Sequence, residues 1–110
     1  MSDAQSEWDV SVEELARLRS SSEDFFLLDV REPHEVEKAT LGGFNIPLAQ
    51  VAKSLDDIPK DRKVLVHCKL GGRSAKAVTA LRQLGYENVW NIQGGTQAWS
   101  ERIDPDLPKY

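Results

Sequence analysis

Val64-Leu65-Val66-His67-Cys68-Lys69-Leu70-Gly71-Gly72-Arg73-Ser74 joins an apolar run to a pair of glycines and then to the start of a helical pattern. The Val64-Leu65-Val66 run reads as a buried strand. The continuation, Ser74-Ala75-Lys76-Ala77-Val78-Thr79-Ala80-Leu81, reads as a helix. A short turn from a strand end into a helix N-terminus is the joint from which layered α/β folds are built. The only cysteine of the chain sits on that turn.

Working outward, further segments repeat the alternation. Ser11-Val12-Glu13-Glu14 has the form of a capping box, and Val12, Leu15, Ala16 and Leu18 supply an apolar helix face that ends in Ser20-Ser21-Ser22. Phe25-Phe26-Leu27-Leu28-Asp29-Val30 is nearly continuous apolar sequence, as a parallel strand covered on both faces requires. Residues 32–37 hold one short helix, and Phe44-Asn45-Ile46 a short strand. Pro47 opens a helix with apolar Leu48, Val51, Ala52 and Leu55 at i, i+3, i+4 and i+7. Lys63 to His67 is the strand that delivers Cys68, Gly85 caps the helix that follows, and Asn88-Val89-Trp90-Asn91-Ile92 is a further strand. Gly94-Gly95-Thr96 begins a last helix carrying Ala98 and Trp99, and the tail, with Pro105 and Pro108, cannot be helical. The expectation is an α/β domain with a mainly parallel sheet and helices on both faces, its site beyond the carboxyl ends of the strands.

At 110 residues, with 40% hydrophobic and 29% charged residues, the chain is one globular domain over residues 8–102, flanked by a mobile segment 1–7 and an extended tail 103–110. The net charge of −4 without a basic stripe argues against nucleic acid as a partner. No apolar stretch approaches the roughly 20 residues needed to span a bilayer, and the first residues lack the basic and apolar regions of a signal peptide, so no membrane partner and a cytoplasmic place are expected. One cysteine excludes an internal disulfide and a Cys-x-x-Cys redox pair, and with two histidines no metal site is expected.

The lone thiol is placed for reactivity. Unpaired amides and the positive end of the helix dipole favour an anion at a helix N-terminus, and a thiolate is one. Lys69 and Arg73 add positive charge beside Cys68. Anything loaded onto Cys68 must leave by an external nucleophile, since no resolving thiol is present. His67 precedes Cys68 on an alternating strand and is expected to point away from it; His34 is a surface residue, and Trp90 and Trp99 belong to the core. Glu35, Glu37 and the other carboxylates form no pair that demands acid–base work.

Four stretches together resemble the rhodanese family of sulfurtransferases: Leu28-Asp29-Val30-Arg31-Glu32-Pro33, Phe44-Asn45-Ile46-Pro47-Leu48, Val66 to Ser74, and Gly94-Gly95 with Ala98-Trp99. Within it the chain is most similar to the domain at the C-terminus of adenylyltransferases of molybdopterin and thiamine-type sulfur pathways, through Ile103-Asp104-Pro105-Asp106-Leu107-Pro108-Lys109-Tyr110. Ala39-Thr40-Leu41-Gly42-Gly43-Phe44 stands where many rhodaneses have Gly-His-Ile-Pro-Gly-Ala. The adenylylating domain is absent, so the chain reads as a free-standing relative or an excised domain.

The resemblance implies a single domain with a five-stranded, mainly parallel sheet and no cofactor. It also implies a cycle in which Cys68 attacks the outer sulfur of a donor such as thiosulfate, becomes a persulfide, and passes that sulfur to a nucleophilic acceptor. Cyanide serves in vitro; in cells a thiol or a sulfur-carrier protein would serve, with a cysteine desulfurase as an alternative donor. Lys69, Leu70, Gly71, Gly72, Arg73 and Ser74 would bind the donor by their amides and charges. Asp29 is a local anchor, and Arg31 is either its partner or a substrate-binding charge on the rim. A phosphatase or arsenate reductase is the rival enzyme, but its signature has five residues between cysteine and arginine where this chain has four, Lys69 to Gly72. A non-catalytic binding module is the other rival, and such modules commonly lack the cysteine.

Overall fold

The computed structural model describes residues 7–110; the segment 1–7 expected to be mobile lies, except for Glu7, outside the described residues. The elements are β1 (Asp9–Val10), α1 (Val12–Arg19), β2 (Phe25–Asp29), α2 (Pro33–Lys38), β3 (Phe44–Asn45), two 3₁₀ helices (Leu48–Lys53 and Leu55–Asp57), β4 (Lys63–His67), α3 (Gly72–Gln83), β5 (Val89–Ile92) and α4 (Gly95–Arg102). The sheet is wholly parallel in the order β1-β5-β4-β2-β3. β4 lies at its centre, and its carboxyl end runs straight into Cys68.

The central position explains the apolar run. Val64, Leu65 and Val66 are fully buried, each contributing about 1.5–3 kcal/mol of apolar burial. Alternation sends Val64 and Val66 to one face, where α3 adds Ala77, Val78 and Leu81 and the first 3₁₀ helix adds Val51. Leu65 faces the other side, against Val12, Leu15 and Leu18 of α1 and Ala98 and Trp99 of α4. The chain is therefore the α/β domain with helices on both faces that its sequence suggests.

Three local details differ from the sequence reading, each for a physical reason. β1 is a two-residue edge strand pairing Asp9 with Asn91 and Val10 with Ile92, too short to show periodicity. The segment after Pro47 is 3₁₀ rather than α: Val51 is buried while Ala52 is exposed, so its apolar period is three and not three-then-four. At α1, Ser11 Oγ accepts from the Glu14 amide at 3.1 Å as a cap should, but the Glu14 carboxylate takes Arg17 at 2.9 and 2.8 Å instead of returning to the cap. Gly85 closes α3 in the left-handed region at φ 99°, with the Gly85 amide on the Arg82 carbonyl and the Tyr86 amide on the Leu81 carbonyl, both at 3.0 Å.

Two ties fix the turn after β4. The Thr96 amide donates to the Cys68 carbonyl at 3.0 Å and the Gln97 amide to the Lys69 carbonyl at 3.1 Å, so α4 docks its first turn on the loop. That approach needs Gly95, at φ 56°, because a Cβ there would collide with both carbonyls. Gly72, by contrast, has open space around its missing Cβ and helical backbone. Gly95→Ala should thus cost at least ~1–2 kcal/mol from left-handed backbone alone, with the collision adding to it, whereas Gly72→Ala should be neutral or stabilising by up to ~1 kcal/mol. Urea denaturation of the two variants beside the parent protein checks the pair.

Candidate active site

Cys68 is 1% exposed and lies at the floor of an open depression of about 330 Å³ lined also by Lys69, Leu70, Gly72, Arg73 and Lys76. The Gly71 amide donates to its sulfur at 3.0 Å, and the Ser74 hydroxyl is 3.4 Å away. Gly71 holds φ 109°, a left-handed conformation open to glycine and costly for other residues. Of the two glycines read as loop formers, Gly71 is thus the one the conformation demands.

Burial pushes the Cys68 thiol up, but hydrogen bonds from the Ser74 hydroxyl and from the amides of Ser74, Gly71 and Leu70 outweigh it, and the net shift is downward. Behind the sulfur, Ser74 Oγ also lies 2.5 Å from Asn91 Oδ1, a competing acceptor for its single proton, and Asn91 Nδ2 donates to Asp9 Oδ1 at 2.9 Å. The short edge strand β1 therefore sets which end of the Asn91 amide meets Ser74. Nothing in the local sequence pairs residues 9, 74 and 91; only the β1–β5 register brings them together.

The cations divide into two kinds. Arg73 is held by Glu35 in a two-pronged ion pair of 2.6 and 2.9 Å. Hydrogen bonding to Arg73 holds the Glu35 carboxyl down to about 2 against the cost of its burial, and the Glu32 amide, 3.0 Å away, adds to this. Lys69 and Lys76 line the depression without a carboxylate partner among the described residues. Lys76 escaped the sequence reading, although its spacing of three from Arg73 on α3 puts both on one helix face. Glu35 escaped it too, since its role lies in a contact with Arg73, 38 residues away.

Arg31 does not line the depression. It is fully buried and grips Asp29 through Nε at 2.9 Å and Nη2 at 2.7 Å, which is the partner arrangement and not the rim one. Its Nη1 donates to the Tyr110 hydroxyl at 2.9 Å. Breaking such a buried pair from one side costs about 3–5 kcal/mol. His67 lies on the opposite side of β4 from Cys68, with Nε2 3.7 Å from Asp29 Oδ2, and burial pushes its pKa down, so it is neutral there. Leu70 stands 64% exposed at the mouth of the depression.

The Rhodanese-like domain family matches residues 11–102. A sulfurtransferase of Allochromatium vinosum is 33% identical over 93 residues, covering 84% of this chain and 87% of its own. The adenylyltransferase and sulfurtransferase uba4 of Ogataea parapolymorpha is 38% identical over 104 residues, covering 92% of this chain. Here the chain spans only 25% of the relative's length, and it spans 37% of a chloroplastic Rhodanese-like/PpiC domain-containing protein of Arabidopsis thaliana. Among solved structures, a rhodanese-related protein of Thermoplasma volcanium superposes with a TM-score of 0.79 at 31% identity, over 93% of this chain and 98% of that one. With the fold, the cysteine loop and these likenesses in agreement, the chain belongs to the rhodanese-like domain family and counts the rhodanese domains of adenylyltransferase–sulfurtransferases among its relatives.

Proposed function

We propose that the protein is a sulfurtransferase that carries sulfane sulfur on Cys68. The observation that carries the reading is the Gly71 amide 3.0 Å from a sulfur whose pKa is lowered, at the floor of a depression bordered by two lysines without carboxylate partners among the described residues. The Cys68 thiolate attacks the outer sulfur of thiosulfate, a new sulfur–sulfur bond forms, and the old one breaks with its electron pair leaving on sulfite. The persulfide anion that results is stabilised by the same loop amides. An acceptor then attacks the terminal sulfur and returns Cys68 as thiolate: cyanide in vitro, and in cells a thiol, free or carried on a sulfur-carrier protein. A cysteine desulfurase is an alternative donor. Lys69 and Lys76 attract the anionic donor, and Arg73, neutralised by Glu35, holds the loop in place. Among the described residues no helix is long and apolar enough to cross a membrane.

Loading is checked by intact mass. Reduced protein incubated with thiosulfate should gain one sulfur atom, discharged by cyanide as thiocyanate, and Cys68→Ser should gain none. A wild-type protein that stays unloaded with thiosulfate, and also with a desulfurase and cysteine, would defeat the proposal. Vanadate-sensitive turnover of an aryl phosphate would instead favour phosphoryl chemistry.

The lowered thiol makes a second expectation. Alkylation of Cys68 by iodoacetamide should rise with pH through a midpoint below that of a free thiol, because the thiolate is the reacting form. Ser74→Ala removes a hydrogen bond that lowers the pKa, so the midpoint should move up and the rate at neutral pH should fall. The same variant leaves Asn91 Oδ1 without its donor, and a stability loss of about 1–3 kcal/mol should accompany it. A midpoint unmoved in Ser74→Ala would assign the thiolate to the loop amides alone.

A further inference from the structure

Residues 103–110 do not trail away from the domain. After α4 the Asp104 amide donates to the Trp99 carbonyl at 2.9 Å, and Ser100 Oγ donates to the Leu107 carbonyl at 2.7 Å. Leu107 packs against the α1–α4 side of the core. Pro105 and Pro108 restrict the chain between these ties. The turn they make carries Tyr110 to the carboxyl end of the sheet, beside α2 and the cysteine loop.

There one hydroxyl joins two ion pairs. Arg31 Nη1 can only donate, so the Tyr110 oxygen accepts from it at 2.9 Å and its proton goes to Glu35 Oε2 at 3.0 Å. Burial raises the pKa of the phenol, which keeps that proton in place. Charges therefore alternate along Asp29, Arg31, the Tyr110 hydroxyl, Glu35 and Arg73. The ring does separate work: Lys69 Nζ lies 4.8 Å from its centroid, within cation–π range. Lys69 follows Cys68 directly and lines the depression.

We infer that Tyr110 is a positioning residue for the cations beside Cys68, its hydroxyl fixing Arg73 through Glu35 and its ring fixing Lys69. As far as this concerns an anionic sulfur donor, it rests on the sulfurtransferase reading. The effect on Cys68 itself does not.

The test uses two alkylating agents of similar size, iodoacetate and iodoacetamide, on wild type, Tyr110→Phe, Tyr110→Ala and Lys69→Met. The ratio of their rates with Cys68 reports how strongly the site favours an anion. Tyr110→Ala should lower the ratio about three- to fivefold at low salt, the scale of one partly screened charge. Tyr110→Phe, which keeps the ring, should lower it less, and Lys69→Met, which removes the cation outright, should lower it by at least the ring's share with Tyr110 intact. The differences should fade in roughly 0.5 M salt. With thiosulfate, Tyr110→Ala should raise KM and leave kcat nearly unchanged. An unchanged ratio in folded Tyr110→Ala overturns the inference, and so does an equal fall for both reagents, which would mean collapse of the loop. If wild type does not load sulfur, the sulfurtransferase reading fails while the alkylation ratio still judges Tyr110.

Discussion

The site depends on how two peptide groups are turned. In a planar trans peptide the carbonyl and the amide point in opposite directions. The Cys68 carbonyl is bound by the Thr96 amide and the Lys69 carbonyl by the Gln97 amide, both from the first turn of α4. With those oxygens drawn outward, the next amides, of Lys69 and Leu70, are turned to the other side of the loop, and the Leu70 amide is among the groups that lower the Cys68 pKa. Helix α4 thus uses amides it could not satisfy internally to orient amides that the sulfur needs. Gly95 is the small residue that lets the two backbones approach. The third glycine pair in the sequence, 26 residues and more from the cysteine, is in this sense part of the cysteine loop.

Charge around the sulfur follows a similar economy. A thiolate at the end of a helix could be stabilised by crowding cations onto it, but a cation paired to the sulfur has less of its charge left to attract an incoming anion. Here Arg73 is matched by Glu35, so the loop gains a rigid anchor with little net charge. The stabilisation of the thiolate is left to short-range hydrogen bonds from Gly71, Ser74 and Leu70. Lys69 and Lys76 keep their charge for whatever enters the depression.

Much of this was legible in the sequence. The strand–loop–helix around Cys68 and the Gly85 cap follow from local pattern, and the structure places them where that pattern does; of the 25–30 run, Leu28, Asp29 and Val30 are buried while Phe25, Phe26 and Leu27 are half-buried. The orientation of His67 follows from strand alternation. What escaped depends on register. Glu35 was read as an unremarkable carboxylate because its meaning comes from Arg73, and Asn91 and Asp9 matter only because β1 lies beside β5. The 3₁₀ geometry after Pro47 was hidden because Leu48, Val51, Ala52 and Leu55 fit an α period equally well until Ala52 is found exposed.

Burial of Cys68 stands at odds with nucleophilic use, and in the proposed cycle the geometry of a persulfide resolves the tension. The thiolate must be reached once by the donor's outer sulfur, which the open depression admits to its floor. After transfer, the reacting atom is no longer Sγ but the sulfur beyond it, about 2.05 Å further along the new bond. Directed into the depression, that bond would lift the electrophilic sulfur out of the layer where Cys68 is 1% exposed and toward the exposed Leu70. A donor can therefore be small while an acceptor can be large, because the two meet different atoms at different depths. The loop amides that hold the thiolate lie close enough to share the charge as it moves outward. A buried cysteine in a shallow site is, on this argument, suited to passing an atom on rather than to binding a substrate around itself.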